Sequence, residues 1–532
     1  MREPWRRRTR SWAAWLGVGL AACTCGDPPA ATHDDAAPSE DREQVEPPAS
    51  IAAPPRGALT VYHGSELDAL ELAEVDALEI AFAESDRLGR IGEFDASDVC
   101  TSIDLAAVAG RAKALRSLRI SGCPALARQL VALPRLEQLT LAELELDAEA
   151  VAAIASLGAL RSLTLVRVGA PEALALEPLA KLPLQQLELI ELPKTTELGR
   201  MLDLWPRSLT HVTLAGAWLD HEAMTTLSKA AAVEVLEIRD SRIGNFSLNQ
   251  IKPLSHLREV LWAGDNFNDN SPLYFRDLPV RRFRCDCPRF GDAGLHTLRL
   301  CPRIEALELP RSSVTGPGLA HLVKLPALAQ LILLERDIGE AGLETLRNVP
   351  SLRRLELAGD VADGRMQGLA GLTQLERLRL HVPELDDRAT ANIGALTRLQ
   401  ELDLAGTQVS DAGLAQLEPL VELRTLVLSR TRVTNRGLAH VAALGKLQHL
   451  QLDHTDVVDA GVEHLARLHD LRSLRLDHTL VTDAATETLL QLSQLQRLDL
   501  SGTVVTAAGA ARLESLPQLA ELRLLPAEAR EP

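Results

Sequence analysis

The most regular feature of the chain is a hydrophobic pattern that returns every 24 residues towards the C-terminus. Its clearest copies begin at Leu399, Leu423, Leu447, Leu471 and Leu495, with a final half copy at Leu519. Each copy reads L-x-x-L-x-L, and this alternation predicts a short strand with one buried face. In the first copy Leu414, Leu417 and Leu420 then follow a helical period, and Ser410 or Asp411 can cap that helix. Each unit therefore predicts one strand followed by one helix.

The same core can be followed back towards the N-terminus. Regular copies begin at Leu375, Leu352, Leu328, Ile304, Val280, Leu257, Val233, Leu209, Leu184, Leu160, Leu136 and Leu115, and degraded copies begin at Ile91 and Leu67. One strand and one helix cannot bury their leucines alone, but stacked copies bury them against each other. We therefore expect 20 candidate units whose strands join in one sheet.

This pattern resembles the leucine-rich repeat family over roughly residues 67–525. The resemblance implies an α/β leucine-rich-repeat solenoid (a horseshoe), with a parallel β-sheet on the concave face and helices on the convex face. The 24-residue unit looks closest to the ribonuclease-inhibitor-like and cysteine-containing types. By analogy with the family, the expected function is recognition or adhesion, in which a protein or another large ligand binds the concave face.

The chain departs from the family at the ninth position of the unit, where the family usually has Asn or Cys. Threonine fills this position in the last complete units, as Thr407, Thr431, Thr455, Thr479 and Thr503. A hydroxyl can donate a hydrogen bond. We therefore expect a threonine ladder, in which each hydroxyl donates to a carbonyl of the neighbouring turn.

The first 25 residues have a different pattern. Five arginines precede a short apolar run that ends in Leu20-Ala21-Ala22-Cys23. A basic segment before such a run is typical of a secretory signal, and the run is too short to span a bilayer. Its end resembles the lipobox of bacterial lipoproteins, which implies a signal peptide over residues 1–22 and lipidation of Cys23. The alternative is an ordinary signal peptide with a chance cysteine.

Composition divides the rest of the chain. Residues 23–57 are rich in Pro, Ala and acidic residues without an apolar period, which predicts a disordered tether. Residues 58–114 are expected to hold an N-terminal cap and degenerate repeats, residues 115–525 the repeat array, and residues 526–532 a tail. A lipid anchor implies the bacterial cell envelope and a membrane partner. Thr24, by resemblance to enterobacterial sorting, favours the outer membrane.

The net charge and the absence of catalytic motifs argue against several classes of function. The formal net charge is −17, so the chain lacks the basic excess that a general nucleic-acid binder needs. The sequence contains no phosphate-binding loop, nucleophile elbow, zinc-protease motif or dinucleotide fingerprint. We therefore expect a binding protein with no enzyme activity, no catalytic residue and no cofactor. It is expected to be monomeric; the alternative is a structural or self-assembling envelope component or spacer.

Candidate binding residues lie at strand positions that should face outward on the concave side. Arginine and aromatic residues beside apolar neighbours are the usual anchors of interfaces. The candidates are Leu261, Arg281, Arg282, Arg284, Glu308, Ile332, Arg354, Arg377 and Arg379. Nearby, Trp218, Tyr274 and Phe275 take turn or helix positions that could be exposed. A solvated, salt-bridged sheet face accounts for the arginines equally well.

The cysteines suggest two pairings. Cys100 and Cys123 fall in neighbouring units, within disulfide reach, and an exported protein permits such a bond; two separate thiols are the alternative. Cys285, Cys287 and Cys301 lie close in sequence and invite a zinc hypothesis. The strand pattern separates them, however, and zinc needs four ligands at about 2.0–2.3 Å. We therefore expect buried thiols and no metal.

Two acidic-histidine pairs take equivalent positions in adjacent units. Asp453-His454 and Asp477-His478 both follow the sixth position of their units, so stacking should bring them to within about 5 Å of each other. Such a group could hold a cation or respond to pH. Solvated polar turns are the simpler interpretation.

Overall fold

The computed structural model describes residues 58–61, 75, 77–80, 103–171, 174–192, 203, 208–334, 338–359 and 366–524. The expected signal peptide, the tether, the C-terminal tail and the residues Cys23, Cys25, Leu67, Ile91 and Cys100 lie outside these ranges. Within the described ranges, no helix is both long enough and apolar enough to cross a membrane.

One parallel sheet of 20 strands runs through the described residues. Its strands are β1 (Ala58–Val61), β2 (Ala77–Ile80), β3 (Ser117–Ser121), β4 (Gln138–Ala142), β5 (Ser162–Val166), β6 (Gln186–Ile190), β7 (His211–Ala215), β9 (Val235–Arg239), β11 (Glu259–Ala263), β12 (Arg282–Asp286), β13 (Ala306–Leu309), β14 (Gln330–Leu333), β15 (Arg354–Ala358), β16 (Arg377–His381), β17 (Glu401–Asp403), β18 (Thr425–Val427), β19 (His449–Gln451), β20 (Ser473–Arg475), β21 (Arg497–Asp499) and β22 (Glu521–Arg523). Each strand pairs with the next one of this series. The short strands β8 (Trp218–Leu219) and β10 (Arg242–Ile243) pair separately beside it.

Short helices on the convex face connect the strands. The α-helices are Leu105–Arg111, Pro124–Arg128, Ala148–Ala155, His221–Leu227, Asn245–Leu248, Asp292–Leu298, Gly339–Leu346, Asp387–Ile393, Asp411–Ala415, Asn435–Val441, Asp459–Val462, Thr486–Leu489 and Ala507–Leu513. The 3₁₀ helices are Gln129–Ala132, Glu177–Lys181, Asn249–Ile251, Ser271–Tyr274, Gly316–Lys324, Gln367–Gly371, Glu463–Arg467 and Asp483–Ala485. This is the α/β solenoid that the repeat predicts.

The leucine pattern sets the register of the sheet. Leu402 of β17 lies opposite Leu378 of β16 and Leu426 of β18, and all three are buried. Glu401 and Asp403 flank Leu402 in the strand and are only partly buried. Since the side chains of a strand alternate between its two faces, the units with strands β2–β21 bury the apolar residues of their fourth and sixth positions and present the intervening residues on the concave side.

The register at the N-terminal end corrects the predicted starts of two units. β1 pairs directly with β2, which leaves no place in the sheet for a strand of the unit predicted at Leu67. β2 pairs directly with β3, so that Leu78 lies opposite Leu118 and Ile80 opposite Ile120. Counting back from Leu78, the first position of this unit is Val75 rather than Ile91. The segment V-D-A-L-E-I carries the same core as the later repeats. It falls out of the 24-residue phase, which explains why a search by spacing missed it.

The threonine ladder was predicted in the right place but with the wrong bonds. The hydroxyl of Thr431 donates to the carbonyl of Leu428 in its own unit, at 2.7 Å. Thr407, Thr455, Thr479 and Thr503 make the same bond three residues back. These contacts close each turn internally. Bonds between neighbouring turns come instead from the backbone, such as the amide of Arg430 donating to the carbonyl of Asp453.

A second row of polar contacts links successive units on the convex side. Ser410 caps the helix Asp411–Ala415 by accepting a bond from the amide of Ala412, as the sequence suggests. Asp411 instead accepts bonds from the next unit, from the amide and hydroxyl of Thr434 at 2.8 and 2.6 Å. Equivalent contacts join Asp387 to Ser410, Asp459 to Thr482 and Asp483 to Thr506. We call this row the aspartate staple.

Candidate binding surface on the concave sheet

The sheet register assembles eight of the nine candidate binding residues into two adjacent rows. One row runs across β11–β17 through Leu261, Arg284, Glu308, Ile332, Glu356, Arg379 and Asp403. The other runs across β12–β17 through Arg282, Ala306, Gln330, Arg354, Arg377 and Glu401. We call these two rows the concave patch. Arg281, the ninth candidate, lies one residue before β12 and pairs with Glu305 at 3.1 Å.

At the N-terminal end of the patch, the arginines are neutralised. Arg282 donates from Nε and Nη2 to one oxygen of Glu308, at 2.9 and 2.6 Å, and Arg284 Nη1 lies 3.8 Å from the other oxygen. Burial opposes the charge on Arg282, but its attraction to Glu308 outweighs that effect and raises the pKa of the guanidinium. Because the Glu308 side chain is only 9% exposed, these residues form a structural ion-pair cluster.

The C-terminal end of the patch holds a second cluster and one free cation. Arg379 donates two bonds to Glu401, at 2.9 and 2.5 Å, while Arg377 lies 3.6 Å from the other oxygen of Glu401. Arg354 is exposed and forms no ion pair within the part of the chain that the structure describes. A surface guanidinium without a partner is available to a ligand.

Beside Arg354 the concave sheet has a shallow depression of about 160 Å³. Gln330, Ile332, Glu356 and Arg377 line it together with Arg354. The depression therefore places the aliphatic side chain of Ile332 next to the free guanidinium of Arg354 and the carboxylates of Glu356 and Glu401. Arginine beside an apolar contact is the composition of an interface anchor.

The carboxylate of Glu356, which lines the depression, yields a prediction about pH. Burial raises the pKa of Glu356, against the attraction of Arg379, which lies 4.0 Å away. A carboxyl group whose pKa is raised by folding stabilises the fold below its unfolded pKa and loses that contribution as pH rises through the folded value. Glu356→Gln should therefore be at least as stable as the wild type at pH 7.5. Thermal unfolding at pH 7.5 and pH 4.5 checks this, since the advantage of the variant should shrink at pH 4.5. A variant that is less stable at pH 7.5 would contradict it.

The aromatic segment near the patch is mostly core. Trp262 stacks on Phe267 at 4.8 Å between ring centroids, and Phe275 and Phe283 pack against the same indole edge to face. Phe275 is buried, so the prediction that it could be exposed is wrong, whereas Tyr274 is half-buried. Trp218 is 58% exposed, as its turn position suggests, and Arg242 lies over its ring at 5.9 Å.

The cysteines differ from the sequence-based expectation in one respect. Cys285 and Cys287 are both buried and form a disulfide with each other, with Cα atoms 5.2 Å apart, and are not two idle thiols. Cys301 is a buried free thiol, and burial raises its pKa to about 12. Of the three cysteines that the zinc hypothesis needs, only Cys301 is therefore a free thiol. Cys123 is disulfide-bonded; since Cys100 lies outside the described residues, the Cys100–Cys123 pairing stays a prediction.

The structure also changes the interpretation of the two acidic-histidine pairs. Asp453 and Asp477 are buried, whereas His454 and His478 are exposed, with ring centroids 4.4 Å apart and ring planes tilted by 32°. Burial raises the pKa of Asp477, and burial together with Arg430 lowers the pKa of His454. The turns are therefore solvated at the two histidines but covered at the two aspartates. The sequence showed the juxtaposition but gave no sign that the carboxylates would be covered.

Comparison with known proteins agrees with the repeat. The family model described as Leucine Rich repeat matches residues 396–417, and none of the curated proteins matches the chain. An internalin (inlF) from Listeria monocytogenes is similar in structure, with 18% identity, a TM-score of 0.38 and coverage of 65% of this chain and 82% of the other. An internalin C2 from the same organism has 24% identity, a TM-score of 0.30 and coverage of 44% and 83%.

A leucine-rich repeat protein of Leptospira interrogans is also similar, with 16% identity, a TM-score of 0.34 and coverage of 87% of this chain and 99% of the other. At such TM-scores these likenesses add nothing to the fold, which the chain's own strands and helices establish. The match identifies residues 396–417 as a leucine-rich repeat, and the other described units repeat the same order of strand and helix.

Proposed function

We propose that this leucine-rich repeat solenoid is a non-enzymatic binding protein that recognises a protein, or another large ligand, on the concave patch. A solenoid of this type is a protein-interaction scaffold, and its preformed sheet loses little conformational entropy on binding. The ligand would span several neighbouring strands, because a typical protein footprint is about 800 Å².

The observation that carries the proposal is the position of Arg354. Most arginines around it are already engaged by Glu308 or Glu401, so a fully salt-bridged face would account for them. Arg354 is exposed without an ion pair and stands beside Ile332 and the depression. A ligand that places an acidic group on Arg354 and an apolar group on Ile332 would use both features.

Capture from an envelope extract tests binding itself. The full-length chain is immobilised and incubated with the extract, and bound proteins are eluted with an excess of the free chain. A discrete protein that the free chain displaces is the expected result. Retention of nothing, or of a smear that the free chain does not displace, would count against a specific ligand.

We further propose that the chain is a lipoprotein of the bacterial envelope, anchored through Cys23 and sorted to the outer membrane. The basic segment, the apolar run and the lipobox-like Leu20-Ala21-Ala22-Cys23 support this. Several acyl chains on one cysteine would hold the protein stably in the membrane, whereas a single acyl chain would not. Metabolic labelling with palmitate tests the anchor: the wild type should incorporate label and Cys23→Ser should not. Equal labelling of both chains would exclude Cys23.

The side of the membrane that the array faces is tested by protease treatment of intact cells. Digestion of the array while a periplasmic control protein survives would place it outside and favour recognition of another cell. Protection until the cells are lysed would place it in the periplasm and direct the search to envelope proteins. Membrane fractionation on a density gradient distinguishes the outer from the inner membrane.

A further inference from the structure

The two acidic-histidine pairs form a compact group of metal-ligating side chains away from the concave patch. Asp453-His454 follows β19 and Asp477-His478 follows β20, so the two pairs stack in successive turns. The backbone fixes this stacking, because the amide of His454 donates to the carbonyl of Asp477 at 3.1 Å. One ligand atom from each of Asp453, His454 and Asp477 lies within 4.8 Å of the other two.

Ser429 and Arg475 contact the Oδ1 atoms of the two carboxylates. Ser429 Oγ donates to Oδ1 of Asp453 at 2.5 Å. Arg475 Nη2 lies 3.2 Å from Oδ1 of Asp477 and 3.9 Å from Oδ1 of Asp453. On the other side, Oδ2 of Asp453 lies 3.6 Å from Nδ1 of His454. Neighbouring residues thus hold the Oδ1 atoms and orient the carboxylates, as outer partners do around metal ligands.

The spacing and the donor types suit a transition-metal ion. Two ligand atoms on a tetrahedral zinc ion with bonds of about 2.0–2.1 Å lie about 3.3 Å apart. The separation between Asp453 and His454 is already close to that value. The other separations among the three ligand atoms are at most 4.8 Å, so binding would require a small shift of the exposed His454 ring and of the carboxylates. An imidazole nitrogen with two carboxylates favours Zn²⁺ or Co²⁺ over the oxygen-seeking Ca²⁺ and Mg²⁺.

We propose that Asp453, His454 and Asp477 bind one divalent transition-metal ion, with zinc as the representative ion. Three protein ligands leave a fourth position for water, and the ring of His478 lies 4.4 Å from that of His454. The ion would join the turns of two successive units. It would also compensate the second buried carboxylate, since the single charge of Arg475 serves two aspartates.

Titration of the untagged, chelator-treated full-length chain with CoCl₂ and ZnCl₂ tests this proposal. Calorimetry should show one equivalent bound, the cobalt form should absorb in the visible range, and zinc should raise the Tm. His454→Gln and Asp477→Asn should each weaken binding at least tenfold. His469→Gln, an exposed histidine in the same region, is the matched control and should bind like the wild type.

Two results would overturn the proposal: no saturable binding of either ion by the wild type, or unchanged binding by His454→Gln. Circular dichroism of each variant separates a lost ligand from a lost fold. If Asp477→Asn misfolds, the exposed His454 still decides the question. The outcome is independent of the concave patch, because these substitutions leave Arg354 and Ile332 intact.

Discussion

Gly437→Ala is expected to lower the free energy of unfolding by about 1–3 kcal/mol, the usual range for overfilling a packed site. A Cβ atom at this position would lie 2.5 Å from Oδ1 of Asp411 and 2.9 Å from Leu414. The aspartate cannot withdraw freely, because its two oxygens accept bonds from Thr434. The substitution therefore breaks one aspartate staple or displaces one helix against the next.

Gly445→Ala is the matched control for this prediction. A Cβ atom at Gly445 would meet no atom within 4 Å, so this variant should be neutral or slightly stabilised through reduced flexibility of the unfolded chain. Urea unfolding followed by circular dichroism measures both variants. Equal stability of Gly437→Ala and the wild type would mean that the staple does not hold neighbouring units together.

Arg354→Glu is expected to weaken binding of the captured ligand by more than about 30-fold, or ~2 kcal/mol, the loss that defines an interface hot spot. The substitution replaces the free cation of the patch by an anion, next to Glu356 on the same strand. Folding should be unaffected, because Arg354 is exposed and holds no carboxylate. Surface plasmon resonance with the ligand identified by capture measures the change.

Arg436→Glu, with the same change of charge on the exposed convex helix Asn435–Val441, should bind as the wild type does. Arg282 is a poorer test, because its replacement by glutamate would leave Glu308 beside a new negative charge and disturb the fold. If Arg354→Glu and Arg436→Glu weakened binding equally, the change in the overall charge of the protein would explain the loss. If Arg354→Glu did not weaken binding, Arg354 would not belong to the binding site.

The sequence predicts the sheet and its register because both follow from one periodic signal. Leucines at the fourth and sixth positions have to be buried, and a strand that slipped by one residue would expose all of them. The rows of the concave patch then follow without further information. Arg284, Glu308 and Ile332 could be assigned to one face from spacing alone, and the structure places them in one row.

The side-chain hydrogen bonds within and between the units could not be predicted from the periodic pattern. Thr431 donates to Leu428 of its own turn because a hydroxyl on a short side chain reaches its own backbone more easily than the next turn. Asp411 looks like a helix cap in the sequence, and only the stacking of units reveals its contact with Thr434. The available signal was the glycine two residues after the start of the helix, such as Gly413 or Gly437, which leaves room for the aspartate of the preceding unit.

The sequence also does not predict which arginines of the concave face are neutralised by a carboxylate. The spacing placed Arg282 and Arg354 in equivalent positions, yet one is clamped on a buried glutamate and the other is free. The difference depends on which arginine an acidic side chain of the neighbouring strand can reach. This is a matter of side-chain conformation, on which the periodic pattern carries no information.

The most direct test of the central claim is site-specific photo-crosslinking in the native cells. A photoreactive amino acid is placed at Gln330, in the depression of the concave patch, and in a second strain at Ala439, on the convex helix Asn435–Val441. After irradiation, the account predicts a discrete adduct with one protein from position 330 and none from position 439. No adduct from position 330, or the same adducts from both positions, would contradict recognition by the concave face.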